Sequence, residues 1–343
     1  MTRVQPRHVG LAAAIALVLL AAACGAGDEA ADGEPTPAAT ATGEAEQEVT
    51  LRLYTSVTQD TVDAVTERFQ QANPNVTLDV FRAPTGELNA RVNAERREGE
   101  IQADVFWLTD PLSMQPFAEQ GLLREWTPAN AEAIPEAFRT DTFWGTRLLN
   151  LVIVARDDLE ATPTSWDELA GHDFEQPVAL PDPGFAGSAF GALGFFALDD
   201  RYGFEFYETM ADSGVTQVQA PGEVVSGVAE GRFSAGMTLD RMAREAEEAG
   251  SPVQMVWPEP GAVAVYSPIG VLATADAVEP AEAFTEFVLS VEAQNLIAET
   301  GWQPANPEAD WPHQTGDTVS PDWSEGFARQ DELLEKYRAI IGE

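Results

Sequence analysis

The chain is short of the residues on which most small-site chemistry depends. Cys24 is its only cysteine, so the part that follows carries no disulfide and no thiolate metal cluster. The histidines are His8, His172 and His313, too few to suggest a histidine-centred triad or metal site. No GxxxxGK[ST] phosphate loop and no HExxH is present. Gly184 to Gly191 resembles a nucleophile elbow, but Ala186 and Phe190 flank Ser188 where that turn needs glycines. An enzyme is therefore not expected, and neither a cofactor nor a metal. Lysine is confined to Lys336, and 57 acidic against 19 basic residues leave a net charge of −38. Such a surface repels nucleic acid and anionic membrane, which excludes both as partners. It serves solubility, or operation in high salt where screening relieves the self-repulsion.

Long apolar runs are also missing, except at the start. Arg3 and Arg7 precede the apolar stretch Leu11 to Leu20, which gives way to Ala21-Ala22-Ala23 and Cys24. A basic start, a short apolar core and small residues predict a secretory signal over 1–23. Its end resembles a bacterial lipobox, which predicts a lipidated Cys24 and a chain tethered to the extracytoplasmic face of the cell membrane. Residues 24–48 hold no aromatic and no large aliphatic side chain besides the acidic and small ones. They cannot offset their ordering entropy by burial and read as a flexible acidic linker, with a reach of about 27 Å on Gly-rich scaling.

From Val49 onward apolar residues repeat with two periods. Val49 to Tyr54 alternates as a strand, and Val62, Val65 and Phe69 follow helical spacing up to the stop at Asn73-Pro74. Strands are predicted at 76–81, 103–108, 148–155, 177–180, 215–219, 235–239, 253–257 and 267–273, with helices between most of them. Spacings too long for hairpins argue for parallel strands with crossover helices. The length suits two α/β lobes, drawn as 49–147 with about 266–305, and about 148–265. Residues 306–343 read as a surface excursion and a last helix from Ser324 to Ile341.

In parallel α/β lobes ligands sit beyond the carboxyl ends of the strands. The residues there are Ser56 and Thr58, Thr85 and Gly86, Asp110, Gly187-Ser188-Ala189, Asp240, and Tyr266 at the start of a strand. Small hydroxylated residues and glycines at helix starts make an anion-binding arrangement. Each also has an ordinary reading: Ser188 as a helix cap, Thr85-Gly86 as a capped turn, Asp240 as a helix-start carboxylate, Tyr266 as a half-buried aromatic.

Leu53-Tyr-Thr-Ser56, Thr85-Gly-Glu-Leu88, Ala103-Asp-Val-Phe106, Pro163 to Leu169, Ala179 to Pro183 with Gly187-Ser188, Gly250 to Val253 and Phe287 to Gln294 occur in an order and spacing that resemble bacterial ABC-transporter substrate-binding proteins. The similar branch contains ferric-ion, 2-aminoethylphosphonate, thiamine and sugar-phosphate binders. The resemblance implies a type II periplasmic-binding-protein clamshell with hinge strands, a monomer that delivers a small solute to a membrane permease. Ferric-ion members commonly place a histidine, an acid and two tyrosines at the positions of Thr58, Asp110 and Asp240-Arg241. Only Asp110 retains a suitable ligand here. Phosphonate and phosphate members use hydroxyls and helix starts, a role implied for Ser56, Thr85, Gly86, Ser188 and Ala189. Asp240, with Asp110, would then hold an ammonium group. The implied ligand is anionic or zwitterionic, such as 2-aminoethylphosphonate. Ferric capture through an exogenous anion and presentation of ligand to a sensor partner stand as alternatives.

Overall fold

A computed structural model describes residues 48–313 and 315–342. The expected signal, Cys24 and nearly all of the linker lie outside the described residues. In the first half, β1 (Val49–Thr55), α1 (Gln59–Ala72), β2 (Val76–Arg82), α2 (Thr85–Glu98), β3 (Val105–Trp107) and α3 (Pro111–Glu119) alternate strictly. Next come β4 (Trp144–Arg156), α4 (Trp166–Gly171), β5 (Val178–Pro181), α5 (Gly187–Leu198), α6 (Glu205–Asp212), β6 (Thr216–Val218), α7 (Pro221–Ala229), β7 (Ala235–Leu239), α8 (Asp240–Glu248) and β8 (Val253–Val256). The chain closes with β9 (Ala262–Val271), α9 (Val278–Leu289), α10 (Val291–Glu299), β10 (Gln303–Pro304), β11 (Thr318–Val319) and α11 (Trp323–Ile341).

The sheet order is β2-β1-β3-β9-β4-β7-β5-β6, with β8 and β10 on β4 and β11 on β9. At one end β1 runs parallel to β2 and β3. At the other β5 runs parallel to β6 and β7. The parallel reading thus holds for each end and fails in the middle, where β9 and β4 run antiparallel to each other and to β3 and β7. These are the crossing strands of a two-lobed type II clamshell.

Strand β4 shows why. It pairs with β9 from Trp144 to Leu151 and with β7 from Leu151 to Ala155. Leu151, Ile153 and Ala155 enter one apolar cluster, while Val152 and Val154 enter another with Val224, Val228 and Phe233. A strand buried on both faces reads as a continuous apolar run rather than an alternation. It begins four residues before the expected Leu148. A bulge between Gly145 and Arg147 breaks the period there. Likewise β9 begins at Ala262, so Tyr266 lies mid-strand and not at a strand start.

The expected excursion holds β11, paired with β9. Helix α11 buries Leu333 and Tyr337, and the Tyr337 hydroxyl donates to Gln217 Oε1 at 2.8 Å.

Candidate functional site

A cavity of about 170 Å³ lies where the parallel strands end. Ser56 and Thr58 follow β1, Arg82 ends β2 with Pro84 and Thr85 after it, and Thr109 follows β3. Phe185 to Ser188 lie beyond β5, Ala220 and Pro221 beyond β6, and Leu239 and Met242 at the β7–α8 junction. Arg147 and Leu149 of β4 and Trp302 complete the lining.

Five helices begin on this lining: α1, α2, α5, α7 and α8, through Thr58, Pro84, Ala186, Ala220 and Leu239. None of the five N-cap side chains accepts a capping hydrogen bond from a backbone N–H of its own helix. Elsewhere Asp110, Ser165, Ser290 and Asp322 do cap their helices. Helices α6 and α9 likewise begin without a side-chain cap, at Phe204 and Ala277, so what marks the five is that their starts share one cavity wall. Open starts expose backbone N–H donors and the positive end of the helix dipole.

Arg147 adds a full charge. It is 1 % exposed, and among the described residues its guanidinium has no carboxylate partner and its Nε no hydrogen-bond partner. Nη1 donates weakly to Thr58 Oγ1 at 3.5 Å. The guanidinium sits 4.5 Å from the centroid of the Trp302 ring, an attraction that strengthens on desolvation. Burial, with the charges of Arg241 and Arg82 adding and Asp60 opposing, pulls Arg147 down to about 9. It still carries its charge at neutral pH. Trp302 is held in turn, its Nε1 donating to Thr58 Oγ1 at 3.2 Å.

Arg82 adds charge of the same sign to the cavity wall. Arg82 lines the cavity and its Nε donates to the Val57 carbonyl at 2.7 Å, while its guanidinium has no carboxylate partner among the described residues. Arg241 binds Asp60 and Glu245. Burial opposes ionisation of Asp60, yet Arg241 and the Thr58 hydroxyl hold its carboxyl below the usual range. Among the described residues that line the cavity none is acidic. Helix starts and guanidinium together favour an anion.

Of the residues expected at a site, Ser56, Thr58, Thr85, Gly187 and Ser188 line the cavity. Ser56 and Thr109 hydroxyls bond each other at 2.7 Å. The other five lie outside the lining. Gly86 faces the loop before α5, where a Cβ would come 2.6 Å from the Gly184 carbonyl oxygen. Ala189 is buried within α5. Asp110 is fully buried and caps α3, its Oδ1 accepting from the Ser113 N–H at 2.8 Å and its Oδ2 bonded to the Ser113 hydroxyl at 2.9 Å. Asp240 is buried beside Arg244 at 3.5 Å, and burial pushes its carboxyl up against that charge. Tyr266 packs its ring between Phe138 and Trp323, each at 5.5 Å.

Burial pushes Asp110 up to about 7. The folded state therefore keeps a proton that the unfolded chain releases near pH 4, and stability at this position falls as pH rises from about 4 through 7. The expected size is on the order of 4 kcal/mol. Asparagine caps a helix equally well without a charge. Asp110→Asn should flatten that decline in chemical denaturation across the pH range, gaining on the wild type at pH 8 and not at pH 4.

Arg147, Arg82 and Trp302 escape sequence reasoning. An arginine beside an apolar run reads as a solvated strand end, and nothing in Thr300-Gly301-Trp302 marks a ligand wall. A single arginine within a stretch that is otherwise apolar was the available signal for Arg147.

Two α/β lobes with a cationic cavity at the ends of their parallel strands define a solute receptor of the clamshell type. Residues 51–303 match the family described as bacterial extracellular solute-binding protein. The chain belongs to that family, whose members supply ABC importers with substrate. A Haemophilus influenzae protein without an assigned role is 25 % identical over 284 residues, covering 76 % of this chain and 78 % of its own. A Salmonella typhimurium periplasmic protein, provisionally named for 2-aminoethylphosphonate binding, is 26 % identical over 244 residues, covering 66 % and 72 %. Among solved structures, periplasmic AfuA from Actinobacillus pleuropneumoniae with fructose-6-phosphate bound superposes with a TM-score of 0.76 at 20 % identity, over 85 % of this chain and 98 % of that one. The ferric binding protein from Campylobacter jejuni gives 0.71 at 15 % identity, over 84 % and 99 %. These likenesses are of fold.

Proposed function

We propose that the protein captures a small organic solute bearing a phosphonate or phosphate-ester group between its lobes and delivers it to an ABC permease. Arg147 carries the reading: a buried guanidinium without a carboxylate partner among the described residues, at a cavity on whose wall five helices begin without a side-chain cap. A phosphorus oxyanion offers the several acceptor oxygens that such a set of donors can share. The Salmonella relative is named for a phosphonate and AfuA holds a sugar phosphate, ligands of this class. Among the described residues no three His, Cys, Asp or Glu side chains are placed to hold an ion.

The lobes hinge within β4 and β9, where Leu148 pairs with Tyr266 and Leu149 with Val265. Binding shifts the lobes toward closure by the difference in affinity between the two states. The protein works as a monomer without catalysis, tethered through a lipid on Cys24.

Ser188 lines the cavity and is 2 % exposed. Ser188→Phe should fill the space of the ligand, weakening binding by more than about a hundredfold, or roughly 2.7 kcal/mol, while circular dichroism stays native. Undiminished affinity would remove Ser188 from the site.

A further inference from the structure

We infer, resting on that reading, that the ligand is a phosphonate or phosphate monoester whose organic part ends in a second oxygen acceptor, such as a carboxylate, and carries no ammonium group. The observation is the charge inventory of the cavity wall. Its two ionisable side chains are Arg82 and Arg147, and neither has a carboxylate partner among the described residues.

The carboxylates that could offset a ligand's ammonium are each engaged elsewhere. Asp60 is bound to Arg241. Asp110 lies behind Gly187, whose Cβ position is 2.2 Å from Asp110 Oδ2, and it caps α3 through Ser113. Asp240 is buried in the first turn of α8 beside Arg244 and does not line the cavity. An ammonium group entering this cavity would give up its hydration and meet guanidinium and helix-start charge of its own sign, without a carboxylate in return.

The wall has two polar stations and an apolar one. Arg147, Thr58, Thr85, Ser188 and the helix starts form the station for the phosphorus oxyanion. Arg82 lines the cavity at the end of β2, with Nε spent on Val57 and a guanidinium that has no carboxylate partner among the described residues. A carboxylate matches such a fork. Leu149, Phe185, Leu239 and Met242 face the carbon chain that would join the two groups. Repulsion of the wrong charge at Arg82 provides discrimination as effectively as attraction of the right one.

The test is calorimetric titration of the purified protein with three ligands of one core: phosphonoacetate, ethylphosphonate and 2-aminoethylphosphonate. The inference predicts that phosphonoacetate binds at least tenfold more tightly than ethylphosphonate, with 2-aminoethylphosphonate weakest. Arg82→Gln should narrow the first advantage to under about twofold. Its folding is checked separately by its melting temperature. If 2-aminoethylphosphonate binds as tightly as ethylphosphonate or more so, the inference is overturned while the phosphonate reading stands. A phosphonoacetate advantage that persists in Arg82→Gln overturns the role of Arg82. If none of the three, nor glycerol phosphate, binds, the proposed function fails and takes the inference with it.

Discussion

Replacing Arg147 with methionine is expected to abolish ligand binding and, in the same protein, to raise the melting temperature of the ligand-free form. Both effects follow from one fact: a charge has been taken almost wholly out of water with no counter-charge against it. Truncating one partner of a buried charge pair costs about 2–5 kcal/mol of binding, which is a loss of roughly thirtyfold to several thousandfold. Removing a buried charge in favour of an apolar side chain of similar length is neutral or stabilising by about 1–4 kcal/mol. Methionine can keep contact with the Trp302 face that the guanidinium now covers. For a body of this size each kcal/mol moves the melting temperature by about 2–4 °C. A structural arginine would behave in the opposite way, with a lower melting temperature and unchanged affinity.

Gly187→Ala is expected to weaken binding by tenfold or more although it adds one methyl group. That carbon would lie 2.2 Å from Asp110 Oδ2 and 2.8 Å from Thr85 Oγ1. Neither neighbour can yield freely, because Asp110 is fixed by Ser113 and Thr85 begins α2. The start of α5 must therefore withdraw from the opposing helix starts, and overpacking of this kind costs about 1–3 kcal/mol. Asp110→Ser keeps a capping hydroxyl and removes the nearer obstacle. In a double-mutant cycle it should restore part of the affinity lost in Gly187→Ala. Strictly additive losses, or an alanine variant that binds as the wild type does, would show that close approach of α5 to Asp110 and Thr85 is not needed for binding.

Where apolar spacing was regular the sequence was readable. Val62, Val65 and Phe69 set α1, and Ala235 to Leu239 coincides with β7. The hydroxylated turns after β1 and β2 also fell on the cavity wall, because strand ends and helix starts are marked in the chain itself. What failed to show was direction. Asp110 occupies the right turn, but Pro111 after it and Ser113 beyond mark it as a cap for α3. Asp240 and Tyr266 stand near the site in sequence while their side chains turn toward Arg244 and toward Phe138 and Trp323. Arg147 stayed hidden because its place depends on the bulge after Gly145 and on pairing with β9, more than a hundred residues away. The ammonium site expected at Asp240 and Asp110 rested on these unseen orientations, and neither residue lines the cavity.

The most direct test of the account is a thermal-shift titration of the purified protein. The panel contains phosphonoacetate, 2-aminoethylphosphonate, glycerol phosphate, fructose-6-phosphate, thiamine and ferric citrate, with citrate alone as a control. A ligand at a hundred times its dissociation constant stabilises the folded form by about 2.7 kcal/mol, an upward shift of several degrees at this size. The account predicts that shift with at least one phosphonate or phosphate ester, its loss in Arg147→Met, and none with the cationic thiamine. A shift produced by ferric citrate alone, or one that survives in Arg147→Met, would contradict it.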